Sequence, residues 1–351
     1  MSRMKFRTFE SIINRKFHTG IRKQKINQVA RRQILEFFDV HDVPLLNCFA
    51  MKMLSHSSKS ESRIISIYLR FILTRLFKFD PLEKFHPDTF SVAILVSAKD
   101  LLVLPYALYS LISLYSNSIS SIYIVVPEDS FQKVQNRIEG MNFPLKIRYT
   151  TDEKILKKIC LPEKFLFRTT VAKMEFIKFA LPSSLGEENL LILDGDTIYL
   201  RGRTWKSGSN LTLMVAQEYM TEHIRFSQNY FSLKAKSGLG FVTHHSFFIR
   251  EIIDDMAANS GGYGSLASAL DEKISKGFST GEFPSEWQSY GDWVVEKSNL
   301  MPRFAKFSNL GMPRRYLPLN PNANLIEIGA FLESVKKIVP KLGSLSLHDY
   351  K

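Results

Sequence analysis

The chain has 351 residues, 45% hydrophobic and 12% aromatic, with two cysteines, Cys48 and Cys160. That profile excludes a disordered chain, a disulfide scaffold and a zinc ribbon. The net charge of +13 is uneven: residues 1–86 hold 17 Lys+Arg against 7 Asp+Glu, and the remainder hold 30 against 27.

Residues 1–35 carry ten basic residues and one acid, Glu10, with apolar residues at roughly helical spacing. Residues 60–78 read as a second amphipathic helix, with Ile64, Ile65, Tyr68, Phe71 and Ile72 on one side and Arg63, Arg70 and Arg75 elsewhere. Such a basic helical extension either packs on the body of the protein or lies on an anionic membrane surface. No stretch reaches the roughly 20 apolar residues that a membrane span needs. No apolar run follows Met1, so no signal peptide is expected. The expected location is cytoplasmic, with peripheral contact at the inner membrane face. The sequon at Asn210 is then a chance match.

The pattern changes at Thr89. Phe90–Ser97 is a continuous apolar run of the kind found in buried parallel strands. A helical pattern from Leu104 to Tyr115 follows, then a strand at Ser121–Val126, a helix around Phe131–Glu139 and a strand at Leu145–Tyr149. This alternation predicts a parallel α/β sheet flanked by helices, with ligands beyond the carboxyl ends of the strands, near Ser97–Asp100 and Pro127–Asp129. A further helix is expected over Thr170–Phe179, closed by Leu181-Pro182. The chain divides into a basic helical extension, 1–86, and an α/β body, 87–351.

Next comes Asn189-Leu-Leu-Ile-Leu-Asp194-Gly195-Asp196-Thr197. Carboxylates at i and i+2 on an extended backbone point to one side. At a strand end they can converge on a hard divalent cation, magnesium or manganese, which commonly also holds a diphosphate. An acidic Asp-Gly turn is the plain alternative. The haloacid-dehalogenase pattern, Asp-x-Asp-Gly-Thr, differs, because here the glycine lies between the acids and about a hundred residues of α/β chain precede them.

The segment Leu191–Thr197 resembles the Asp-x-Asp motif of glycosyltransferases with the GT-A fold. Ala93–Asp100 is similar to their first nucleotide-contacting strand, Lys173–Pro182 to the helix before the motif, and Gly240–His245 and Phe283–Gly291 to acceptor-side segments of an uncharacterised bacterial branch. The resemblance covers roughly residues 88–351. It implies a GT-A mixed sheet and a nucleotide-diphosphate sugar donor held with Mn2+ or Mg2+. It also implies a carbohydrate or lipid-linked acceptor, as in cell-surface polysaccharide synthesis.

On that resemblance Ser97, Asp100, Lys173, Lys178 and Asp194 are donor-side candidates, and Asp194, Asp196 and His348 are metal ligands. Lys173 and Lys178 lie about 140° apart on a helix and cannot share a face. The resemblance favours Lys178, whereas a solvated helix face suits either lysine. His244 and His245 are acceptor-side candidates of which at most one lines a pocket, since neighbours on a strand face opposite ways. Glu286 follows Ser285, a helix cap, and is expected either as the general base or as a helix-start acid, with Asp292 the alternative base. Trp287 and Tyr290 are either a sugar-stacking platform or core. His348 is either a metal ligand or part of a frayed tail, and Ser260–Ser265 is expected as a loop near the acceptor.

Two other functions compete. A sugar-phosphate nucleotidyltransferase shares the architecture but usually opens with a glycine-rich basic loop, and Ser97–Leu102 has no glycine. A non-catalytic nucleic-acid binder fits the basic N-terminus, but no nucleic-acid motif accompanies it and no specific nucleic acid is expected.

Overall fold

The computed structural model describes residues 88–351 apart from 160, 162–164, 217–219, 236–238, 307–308, 315–318, 339–342 and 349–351. The two N-terminal helices expected from the sequence, and both cysteines, lie outside the described residues.

The central sheet has five strands: β1 (Phe90–Leu95), β2 (Ile119–Val126), β3 (Ile147–Thr151), β4 (Asn189–Asp194) and β8 (His245–Ile249), in the order β3-β2-β1-β4-β8. The first four are mutually parallel and β8 runs antiparallel along β4. Every residue of β1 is buried, as suits a largely apolar strand covered on both faces, and its one polar side chain, Ser91, is hydrogen-bonded to Glu187. The four parallel strands are those that the alternation predicts, and the antiparallel β8 makes the sheet mixed, as the resemblance implies.

Helices α1 (Leu104–Tyr115) and α2 (Phe131–Glu139) have the bounds expected from their periodicity. Strand β3 begins two residues later than expected, because Pro144 and Leu145 form a bend before it. Its last residue, Thr151, then caps α3 (Asp152–Lys158) by accepting from the Lys154 N–H at 3.3 Å.

Helix α4 (Thr170–Leu185) does not stop at Pro182, which sits inside it. Pro182 removes one backbone donor, but the helix runs on for a turn and ends at Gly186, whose φ of 71° is open to glycine at little cost. The Gly186 and Glu187 N–H groups close that end on the Ser183 and Pro182 carbonyls.

Two smaller sheets lie beside the first. β5 (Thr197–Tyr199) pairs antiparallel with β11 (Ser344–His348), which pairs parallel with β10 (Asn309–Pro313). β7 (Asn210–Val215) lies between β6 (Lys206–Ser207) and β9 (Met301–Lys306). Helix α9 (Leu325–Ile338) packs with α1 over the β5–β11 pair, burying Tyr106, Ile198, Phe331, Leu332 and Leu345 in a second apolar cluster. The remaining helices are α5 (Thr221–Tyr230), α6 (Arg250–Asn259), α7 (Tyr263–Ser275) and α8 (Glu286–Lys297). No helix among the described residues is long and apolar enough to cross a membrane.

Candidate active site

From β1 the chain builds outward to β2 and β3, then crosses back to lay β4 on the other side of β1. The crevice between the carboxyl ends of β1 and β4 is therefore the switch point where open α/β sheets receive ligands. Leu95 is in register with Asp194 there. The Gly195 N–H donates to the Leu95 carbonyl at 2.8 Å. A methyl group on Gly195 would lie 2.9 Å from that oxygen, so the close approach of the two strand ends requires glycine.

The two aspartates then meet two histidines from distant parts of the chain. The Asp194 N–H bonds to the His244 carbonyl, and His244 Nδ1 lies 3.4 Å from Asp194 Oδ2. The Leu347 N–H donates to the Asp196 carbonyl, which sets the next residue, His348, with Nδ1 3.1 Å from Asp196 Oδ2. The His244 and His348 rings are 5.1 Å apart. His348 thus belongs to an ordered strand end, not to a frayed tail.

Behind this group lies a buried charge cluster. Lys178 of α4 is 5% exposed, and its Nζ is 2.7 Å from Glu286 Oε1, 3.4 Å from Asp194 Oδ1 and 3.9 Å from Glu175 Oε1. It also sits 4.8 Å from the centre of the Trp287 ring. Glu286 is 0% exposed, and among the described residues no hydrogen bond of good geometry supports its carboxylate, so the Lys178 charge is what keeps it inside. Burial works against the Lys178 ammonium, but Asp194 and Glu175 outweigh it and raise its pKa. Burial likewise works against ionised Asp194, yet Lys178 and His244 hold that carboxyl well below the usual range. For Glu175 burial wins over Lys178, and with Asp194 nearby its pKa is pushed up to about 7. Burial lowers the pKa of His244, but its bond to Asp194 and that carboxylate's charge more than reverse the effect. Glu175 Oε2 also accepts weakly from the Glu286 N–H, 3.4 Å away, at the amino end of α8.

These groups line one cleft of about 590 Å³, walled by Glu175, Lys178, Asp194, Thr243, His244, Glu286, Trp287, Asn309 and His348 among others. The arrangement offers the Asp194 carboxylate and two imidazoles on one side, and a fixed ammonium with a protonatable carboxyl on the other, while Asp196 reaches the cleft through His348 and is not itself among the lining residues. Among the described residues no three His, Cys, Asp or Glu side chains are already set to hold a metal ion.

Other residues singled out from the sequence lie elsewhere. The Ser97 hydroxyl and N–H both donate to Asp100 Oδ2, at 2.7 and 2.9 Å, so the two residues satisfy each other in the turn after β1. Burial raises the Asp100 pKa despite those bonds. Lys173 faces away from Lys178, as the helical angle requires, and pairs with Asp152 and Glu153. His245 is buried, 4.8 and 5.4 Å from the rings of Tyr199 and Trp205, and only His244 of the pair lines the cleft. Tyr290 is core: its ring lies 4.4 Å from that of Phe248 and its oxygen accepts from the Ile249 N–H. A sugar cannot reach it, and Trp287 is buried against Lys178. Asp292 is buried beside Gln288, whose Nε2 donates to it at 3.0 Å, and burial pushes its pKa up to about 7. Glycines 261 and 262 form the tight turn between α6 and α7, Tyr263 opens α7, and none of the three lines the cleft. Glu175 is not among the sequence candidates, although its i, i+3 spacing to Lys178 places both on one helix face.

No family model matches the chain, and no curated protein matches it. Among solved structures it is similar to the bifunctional glycosyltransferase WbbM, with 12% identity and a TM-score of 0.44, over 82% of this chain and 53% of that one. The chain therefore spans about half the length of WbbM. Mouse xyloside xylosyltransferase 1 is similar at 13% identity and a TM-score of 0.38, over 64% of this chain and 88% of that one. Galactosyltransferase LgtC, solved with donor and acceptor sugar analogues, is similar at 10% identity and a TM-score of 0.37, over 73% and 86%. At such identities and TM-scores the likeness says nothing about the role of any side chain.

Proposed function

We propose that this chain is a metal-dependent glycosyltransferase of the GT-A type. It would transfer a sugar from a nucleotide-diphosphate donor to the hydroxyl of a carbohydrate or lipid-linked acceptor. The observation that carries the reading is the meeting of Asp194, Asp196, His244 and His348 beyond the carboxyl ends of β1 and β4, beside the fixed ammonium of Lys178. Carboxylate oxygens with an imidazole nitrogen suit manganese, and Asp194, Asp196 and His348 are the residues that would hold it. Bound there, the metal would neutralise the charge of the departing nucleoside diphosphate.

The chain's own residues account for the rest. Lys178 keeps its charge while buried and presents it to the donor side of the cleft at a fixed position. Glu286 holds that ammonium in place and acts through it, since its carboxylate is wholly inside. Glu175 faces the cleft with a pKa near neutrality, which suits a group that accepts the acceptor hydroxyl's proton. His244, tied to Asp194, borders the same space.

Donor-induced stabilisation tests the reading, because a ligand that binds only the folded state raises its melting temperature. A panel of nucleotide-diphosphate sugars with manganese should contain at least one that stabilises the full-length protein, and Asp196→Ala should lose that gain. If nucleoside triphosphates stabilise the protein and no nucleotide sugar does, the nucleotidyltransferase alternative takes its place.

A further inference from the structure

A second concave site lies outside the cleft. It measures about 610 Å³ and is walled by Lys99 in the turn after β1, Lys133, Asn136 and Arg137 on α2, and Arg314 and Asn322 near the C-terminal part of the chain. It shares no lining residue with the cleft. Among the described residues that line it, four are cations and none is a carboxylate.

Two of the four are held in place by backbone. The Arg137 guanidinium donates to the Pro321 carbonyl, and that of Arg314 donates to the Lys99 carbonyl. Each bond uses part of a planar fork and orients the rest. Lys133 lies one helical turn before Arg137, so both project from one face of α2. Lys99, Lys133 and Arg137 enter no ion pair among the described residues. Like charges gathered around one concavity repel one another, and an anion seated there gains from each cation that it touches. A single carboxylate would neutralise one charge. A phosphate or diphosphate carries more charge and offers the oxygens that guanidinium forks bind in pairs.

We propose that this site binds a phosphate-bearing ligand, independently of the cleft and of the transferase reading. The phosphate comes either from a soluble ester or diphosphate or from a lipid headgroup.

Calorimetric titration of the full-length protein with inorganic pyrophosphate, in chelator and at low salt, tests the proposal. Saturable binding is expected, weakened about tenfold by Arg137→Gln, the size of one lost charge-assisted hydrogen bond, and at least as much by Lys133→Glu. Lys133 is exposed and enters no hydrogen bond or ion pair among the described residues, so its variant should melt with the wild type. Lys276→Gln, at an exposed lysine that lines neither this site nor the cleft, should bind pyrophosphate unchanged. Phosphatidylglycerol vesicles that displace pyrophosphate assign the phosphate to a headgroup, and vesicles that do not assign it to a soluble ligand. Absence of binding, binding insensitive to both α2 variants, or binding weakened equally by Lys276→Gln would overturn the proposal.

Discussion

Replacing Lys178 with methionine probes the charge cluster most sharply, because one ammonium serves three carboxylates at 2.7, 3.4 and 3.9 Å. At an effective dielectric constant of about 20, those contacts are worth roughly 6, 5 and 4 kcal/mol before desolvation is subtracted. Much of that gain offsets the cost of holding the charges out of water. Removing one partner of a buried pair typically costs about 3–5 kcal/mol, and Lys178→Met belongs in that range because Glu286 is left fully buried with no counter-charge. Glu286→Gln keeps the shape, leaves Lys178 facing Asp194 and Glu175, and should cost only about 1–2 kcal/mol. The double variant removes both buried charges and should be more stable than the sum of the single costs by at least about 1 kcal/mol. Urea denaturation of the four proteins at pH 7 measures each cost. A Lys178→Met cost below about 1 kcal/mol, or strict additivity in the double variant, would refute the reasoning.

Gly195→Ala should destabilise the protein by about 1–3 kcal/mol, because its new methyl meets the Leu95 carbonyl, which is backbone and cannot swing aside. A melting temperature equal to wild type would contradict this. Asp292 is pushed up to about 7 by burial, so the folded state keeps a proton that the unfolded chain releases near pH 4. Its contribution to stability is therefore complete below about pH 4 and is lost as pH rises through about 7, each pH unit of that window removing roughly 1.4 kcal/mol. Asp292→Asn should flatten the fall of unfolding free energy across that window, and an unchanged slope would show that Asp292 is ionised throughout. Glu175 works in the same direction on stability, while its proposed role as proton acceptor requires the ionised form. Turnover should then rise with pH through about 7 and Glu175→Gln should remove that rise, whereas an identical pH profile in the variant would exclude Glu175 as the proton acceptor.

What was legible in the sequence was local. The bounds of α1 and α2 follow from apolar spacing, Ser285 caps α8 as its position suggests, and the β4 run ends at Asp194 because the apolar residues stop there. The opposed faces of Lys173 and Lys178 follow from helix geometry alone, whereas His244 lies in the bend before β8 and only His245 is on the strand. The cluster around Lys178 was not legible, since Glu286 lies 108 positions away and nothing near either residue marks the pair. The pairing of β5 with β11 brings His348 to Asp196 across 152 positions, and that register is a product of tertiary packing. Tyr290 and Trp287 look like a sugar platform in sequence, but the α8 face that carries Tyr290 is the one packed on β8. Pro182 reads as a stop, yet a well-packed helix absorbs the loss of one hydrogen bond when its final turn is closed by Gly186.

The central claim is tested most directly by product analysis. Purified full-length protein is incubated with a panel of nucleotide-diphosphate sugars and manganese, with and without carbohydrate acceptors, and free nucleoside diphosphate is measured for the wild type and for Asp196→Ala. Release of nucleoside diphosphate from at least one donor is expected, with loss of that release in an Asp196→Ala protein that melts like the wild type. Release of pyrophosphate from a nucleoside triphosphate with no turnover of any nucleotide sugar, or full activity in Asp196→Ala, would contradict the claim.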